Sequence, residues 1–265
     1  HEYDLDEYQF TEFVCEALGV GPADLSRLHE TPAGLWAQKH PPRSGHDPFR
    51  RRWLAYITTQ PAARRRLDEM VRRFVSTRVR AALGGRWEHF VYQLVPSMRL
   101  HLAGGRALGV RHCDADYFHQ PNELNVWIPL VERVWGSNSL YCESAPGAAD
   151  FAPFEASRGQ FVSFYGNQAV HYTLPNTTDV TRVSLDLRLV PLPLFAPRWT
   201  DPKGSVPFRL GDFYTSTATH LLRPTTDAKS AADGVGDVLD GNRSDGGAEE
   251  GVACQDGHAE DVTVR

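Results

Sequence analysis

Between Arg182 and Leu189 polar and apolar residues alternate without exception, in the order Arg, Val, Ser, Leu, Asp, Leu, Arg, Leu. Successive side chains of a strand point to opposite faces, so this stretch reads as a strand with one apolar face to bury and one polar face. Asn125 and Trp127 alternate in the same way with Leu124, Val126 and Ile128, and Arg99 and His101 with Leu100 and Leu102. Such polar faces are either wet or, in a small barrel, line a ligand cavity, and the alternation alone leaves both open.

The same period governs a long run of the chain. From about Trp87 to Pro191 it predicts short strands at residues 88–95, 97–102, 108–114, 122–129, 138–143, 160–165, 168–173 and 180–190. Before them the period is helical. Leu67, Met70, Val71, Phe74, Val75, Val79 and Leu83 form an apolar stripe that starts after Pro61 and stops at Gly84-Gly85, with Arg64, Arg65, Arg66, Arg72, Arg73, Arg78 and Arg80 on the other face. A solvated charged face is the expectation for those arginines. Residues 1–60 read as helices and loops broken by Pro22, Pro32 and Pro41-Pro42.

Helices followed by strands, without regular alternation, predict a mainly β fold with helices packed outside an all-β core. The expected organisation is a single domain over residues 1–222, made of a helical region over residues 1–86, a β core over 87–191 and a docked segment over 192–222 that carries Phe208, Leu210, Phe213 and Tyr214. Residues 223–265 contain no aromatic side chain and ten acids against four bases, so they are expected to be a disordered acidic tail that cannot bury enough apolar area to offset its ordering entropy.

Within the β core lies the stretch Gly109–Leu130, which contains His112-Cys113-Asp114. In a strand, residues i and i+2 share a side, so His112 and Asp114 can converge on one ion while Cys113 points away. His171 follows Asp114 by 57 residues and would complete two histidines and one carboxylate, a set that leaves coordination positions open on Fe(II) and so suits catalysis. Asp116 and His119 crowd the motif and are alternative ligands to Asp114 and His112; the i+2 spacing favours Asp114.

An H-x-D triplet, a distal His, and an Arg eleven residues later in R-x-S are the pattern of Fe(II)- and 2-oxoglutarate-dependent oxygenases. The segments PSMRLHL, HCDADYFHQPNELNVWIPL, NSLYCES and GNQAVHYTLPNTTDVTRVSLDLR resemble the subgroup that includes streptomycin-biosynthesis oxygenases, over about residues 90–190. This resemblance implies a double-stranded β-helix, a jelly-roll barrel of cupin-like form, with His112, Asp114 and His171 as catalytic metal ligands. It implies that Arg182 pairs with the distal carboxylate of 2-oxoglutarate, that Ser184 adds a hydrogen bond, and that Asn125 contacts the cosubstrate or supports the ligands. Arg99, Tyr117 and Trp127 are candidates for the substrate side. The implied cofactors are Fe(II), 2-oxoglutarate and O2, with ascorbate stimulatory, and the implied reaction is hydroxylation of an unactivated C–H bond with release of succinate and CO2. Related halogenases lack the carboxylate ligand; Asp114 favours hydroxylation.

The expected partner is a polar small molecule, in natural-product or antibiotic biosynthesis. No nucleic-acid partner is expected, because 25 arginines against 3 lysines accompany a net charge of −5. No membrane partner is expected, since no apolar run approaches a span. The first twenty residues carry six acids and no Lys or Arg, which leads to the expectation of a cytoplasmic protein. Cys15, Cys113, Cys142 and Cys254 are scattered and are expected to be free thiols. The rival readings are a cupin-type metalloenzyme that does not use 2-oxoglutarate and a barrel that only binds. Asp114→Ala is expected to abolish iron-dependent oxidation and leave the fold intact.

Overall fold

The computed structural model describes residues 1–40 and 47–218. The expected disordered tail and Cys254 lie outside the described residues. The helices come first: α1 (Phe10–Leu18), α2 (Pro32–Lys39), α3 (Pro48–Thr59) and α4 (Pro61–Phe74). A single π turn, Val75–Val79, carries α4 on to Ala82, and Gly84 and Gly85 end it in left-handed conformations, at φ 71° and 67°, that few other residues adopt without strain. Along α4 and its extension the stripe residues Leu67, Val71, Phe74, Val75 and Val79 are at most 1% exposed. Complete burial of side chains this size is worth roughly 1.5–3 kcal/mol each. Phe74 packs its ring against Tyr3, Tyr8, Phe10 and Phe161, which ties the N-terminus and the helix to the strand region. The opposite face is solvated, as expected: Arg66 pairs with Glu16 and Arg73 with Glu7 at the surface, where each pair contributes little.

The strands are β1 (Phe90–Gln93), β2 (Ser97–His101), β3 (Leu124–Pro129), β4 (Arg133–Val134), β5 (Tyr141–Cys142), β6 (Ala152–Pro153), β7 (Ala156–Ser157), β8 (Val162–Phe164), β9 (His171–Tyr172), β10 (Arg182–Pro191) and β11 (Tyr214–Ser216). Their pairings are antiparallel. The main sheet runs β11-β1-β10-β3-β8, and β2 lies along β10 beyond β1. A second sheet runs β6-β5-β9, and β4 pairs with β7. The expectation of a mainly β fold with helices beside it is met, and its sheets are antiparallel.

The strand expected at residues 108–114 does not form. The chain there makes turns around Gly104, Gly105 and Gly109, touches β9 through one bridge at His112, and opens a 3-10 turn at Asp114–Tyr117. The stretches expected at 138–143 and 168–173 shrink to two-residue strands. Cys15 and Cys142 are free and buried, but Cys113 is disulfide-bonded, which corrects the expectation of free thiols at that position. No helix among the described residues is long and apolar enough to cross a membrane.

β10 is the centre of the main sheet. Its apolar residues Val183, Leu185, Leu187 and Leu189 are at most 1% exposed and share one core with the helices. On its other face, register places Ser184 opposite Arg99, Asp186 opposite Trp127 and Arg188 opposite Asn125. Most of this polar face, Arg182, Asp186 and Arg188 with Arg99 of β2 and Asn125 and Trp127 of β3, lines one pocket.

Candidate metal centre

A loop and the start of β9 carry the candidate ligands, and backbone bonds join them. His112 N donates to His171 O at 3.2 Å and His171 N to His112 O at 2.8 Å; Asp114 N donates to Gly166 O at 2.8 Å and Ala115 N to Asn167 O at 3.1 Å. The approach to β9 is held in turn by the Glu143 carboxylate, which accepts from Val170 N at 2.7 Å and from Ala149 N at 3.0 Å. Asp114 thus reaches the site by starting a 3-10 turn rather than by standing two places along a strand.

Ligand atoms of His112, Asp114 and His171 lie within 4.8 Å of one another. Asp114 Oδ1 is 3.8 Å from His112 Nε2 and 3.7 Å from His171 Nε2, too long for hydrogen bonds. The other ring nitrogens are engaged: His112 Nδ1 meets Val110 O at 2.7 Å and His171 Nδ1 meets Ala169 O at 3.0 Å. A carbonyl oxygen can only accept, so both Nδ1 atoms carry the proton and both Nε2 lone pairs face Asp114. This is the tautomer that metal-binding histidines need. Burial, reinforced by the neighbouring His171, lowers the His112 pKa to about 4, which keeps its imidazole neutral at physiological pH.

Asp114 is 1% exposed, and its carboxylate is heavily engaged. Oδ2 accepts from Asn125 Nδ2 at 2.7 Å and from Arg188 Nε at 2.9 Å, and Oδ1 accepts from Arg188 Nη2 at 3.1 Å. Burial opposes ionisation of Asp114, but Arg188, with His171 and His119, outweighs it and holds the carboxyl well below its usual range. Arg188 was not among the sequence candidates. Its signal was present, because it shares the polar face of β10 with Arg182 and Ser184.

The alternative ligands are occupied elsewhere. Asp116 Oδ2 accepts from Cys113 N at 2.9 Å and closes the 3-10 turn. His119 stands 2.8 Å from Glu123 through Nδ1 and stacks on Phe208 at 4.1 Å between ring centroids.

Arg182, Asn125, Arg99, Tyr117 and Trp127 line one pocket with the three candidate ligands. The cavity volume of the pocket is about 100 Å³. Arg182 is 3% exposed, its Nε has no hydrogen-bond partner among the described residues, and its guanidinium lies 5.7 Å from the Trp127 ring centroid. Burial lowers its pKa to about 10. Ser184 does not line the pocket; its hydroxyl accepts from Trp127 Nε1 at 3.1 Å and fixes the indole. Arg99 pairs with Asp186 at 3.0 Å, and Tyr117 stands edge-on to His112 at 5.1 Å. Phe208 and Phe213, from the segment after β10, form a further wall.

Gly166 touches the Asn125 carboxamide so closely that an added Cβ would lie 2.7–2.8 Å from its atoms. Gly166→Ala should therefore push Asn125 off Asp114 and weaken metal binding by ~10-fold, the low end for loss of a group that orients a ligand. A titration of the variant with Co(II) checks this, and unchanged affinity would show that the Asn125 contact is idle.

No family model matches the chain. The resemblance to streptomycin-biosynthesis proteins is borne out: the chain is 33% identical over 141 residues to streptomycin biosynthesis protein StrG of Streptomyces griseus, across 52% of this chain and 66% of that protein. It thus spans just under two thirds of that relative's length. Among solved structures it is similar to the non-heme monooxygenase ThoJ in complex with nickel, at a TM-score of 0.38 and 16% identity over 68% of this chain and 69% of that one. It is also similar to the dioxygenase for auxin oxidation of rice, at a TM-score of 0.36 and 16% identity over 82% and 80%. Likenesses this loose leave the functional reading to the site's own geometry.

Proposed function

We propose that this protein is an Fe(II)- and 2-oxoglutarate-dependent dioxygenase, built on a double-stranded β-helix, that hydroxylates an unactivated C–H bond of a polar small molecule. The observation that carries the reading is the pairing, in one pocket, of a two-histidine, one-carboxylate cluster with a buried arginine whose Nε has no hydrogen-bond partner among the described residues. A buried guanidinium without an ion pair is costly, and a dicarboxylate ligand relieves that cost. The donor set suits Fe(II), since two imidazoles and one carboxylate leave neighbouring positions open. When bound, Fe(II), 2-oxoglutarate and O2 supply the oxidising power, with succinate and CO2 as products.

The chain's own residues then position and exclude. Val110 and Ala169 hold the two imidazoles in the ligating tautomer through their carbonyls. Arg182 binds the distal carboxylate of the cosubstrate beside Trp127, and Ser184 keeps that indole in place. Phe164, Phe208 and Phe213 wall the pocket with apolar rings that limit water. Arg99 and Asp186, already paired, offer both charges to a polar substrate, which fits a hydroxylated or amino-bearing small molecule of natural-product biosynthesis.

The test is succinate formation from 2-oxoglutarate by purified protein with Fe(II), ascorbate and air, run beside an anaerobic search for the visible charge-transfer band of an iron–2-oxoglutarate complex. The expected result is a band, and slow succinate release, both lost in His171→Ala. A folded protein that binds Fe(II) but shows neither would favour a metalloenzyme that does not use 2-oxoglutarate.

A further inference from the structure

A carboxylate can bind a metal through one oxygen or both, and the choice decides how many positions remain for other ligands. The two oxygens of Asp114 are not equivalent. Oδ2 takes two donors, Asn125 Nδ2 at 2.7 Å and Arg188 Nε at 2.9 Å. Oδ1 takes one longer bond, from Arg188 Nη2 at 3.1 Å, and is the oxygen that faces both imidazoles. A guanidinium fork meets a carboxylate edge to edge in one plane, so it fixes the carboxylate's rotation as well as its position.

Arg188 is itself held from behind. Its Nε lies 3.5 Å from Glu123 Oε1, and Glu123 is fully buried. Glu123 Oε2 accepts from the hydroxyl of Tyr214, and Oε1 lies 2.8 Å from His119 Nδ1. Arg188 cannot lose its proton in a protein, so its charge is permanent. The row Tyr214, Glu123, Arg188, Asp114 therefore runs from β11 at the sheet edge to the candidate ligands.

We infer that Arg188, braced by Glu123, is a positioning residue that makes Asp114 a one-oxygen ligand through Oδ1. By engaging Oδ2 it keeps the carboxylate from closing on the metal with both oxygens, and so preserves a coordination position for cosubstrate. The inference rests on the metal-site reading above and adds a role for residues that reading does not use.

The experiment is a titration of the full chain with Co(II), read by its visible d–d absorption, together with thermal unfolding of the metal-free forms. Arg188→Lys keeps the charge and removes the fork. Its expected effect is a ~10- to 100-fold loss of Co(II) affinity, the range for removing a group that orients a ligand, with a shifted d–d spectrum that reports changed coordination. A structural role alone would lower the unfolding temperature and leave the affinity and spectrum of the folded protein as they are in the wild type, and that result overturns the inference. Should Arg188→Lys fail to fold, Glu123→Gln serves, with weaker binding and the same spectral shift expected and wild-type behaviour overturning the role. His171→Ala separates the two levels. If it binds Co(II) as the wild type does, or if the wild type binds none, the metal-site reading itself fails. If it loses Co(II) while the Arg188 and Glu123 variants are unaffected, only the positioning role fails.

Discussion

Asp114→Ala will abolish metal binding and will also destabilise the metal-free protein by about 3–5 kcal/mol, the usual cost of breaking a buried ion pair from one side. The reason lies in Arg188. Its side chain is 13% exposed, and among the described residues the ion-pair partner left to it without Asp114 is Glu123, at 3.5 Å. Sequence reasoning treats Asp114 as a ligand alone and expects the fold to survive its loss; in the structure the residue is also half of a buried pair, which leads to the opposite prediction. A loss of this size is a large share of the roughly 5–15 kcal/mol that holds a domain folded. Denaturant melts of Asp114→Ala and His171→Ala, both without metal, make the comparison. Both variants should lose Co(II), and only the first should lose about 3–5 kcal/mol of stability. Equal melts would mean that Arg188 finds another partner, and retained metal in Asp114→Ala would return Asp116 to consideration.

The second large effect has the opposite sign. Arg182→Met will raise the stability of the protein without cosubstrate by about 1–4 kcal/mol, since it replaces a buried charge that has no carboxylate in ion-pair range among the described residues with an apolar chain of similar reach. The same change will weaken 2-oxoglutarate binding to the metal-loaded protein by at least roughly 30-fold, as the loss of one partner from a buried charge pair costs about 2–5 kcal/mol. Thermal unfolding with and without 2-oxoglutarate reads both at once: the wild type should rise with cosubstrate, and the variant should start higher and not respond. A variant that starts lower would show that Arg182 already has a stabilising partner, and a normal response to 2-oxoglutarate would remove it from the cosubstrate site.

These two arginines mark where the sequence was informative and where it was not. Strict alternation made β10 legible residue by residue, because eight positions of one period leave no other element that buries one face. The stripe on α4 was legible for the same reason at the helical period, including its stop at Gly84. Arg182 could be singled out by its spacing from His171, whereas Arg188 matches no spacing rule and is recognised only when β3 brings Asn125 opposite it. The H-x-D triplet illustrates the converse. Its residues were identified, but the strand assumed beneath them is a loop, since Asp116 caps a turn that starts at Asp114 and backbone bonds to Gly166 and Asn167 take the place of a ladder. Strands of two or three residues, such as β4, β6, β7 and β11, hold too few positions for a period to show. Their pairing is decided by what lies beside them in space.

The place of β10 at the centre of the main sheet also bears on how the chain comes to be folded. It pairs with β2 across separations of 81 to 89 residues and with β3 across 55 to 65, so the sheet has no middle until Pro191 has left the ribosome. Contacts this distant must close long loops before they return any stabilisation, which predicts folding in milliseconds to seconds rather than microseconds. During that interval the edges of β1, β2 and β3 lack their partner strand, and the nascent chain is at its most prone to aggregation. Arg182 and Arg188 arrive on this same late strand, so the Asp114 carboxylate is sealed from water only in the step that also delivers its counter-charge.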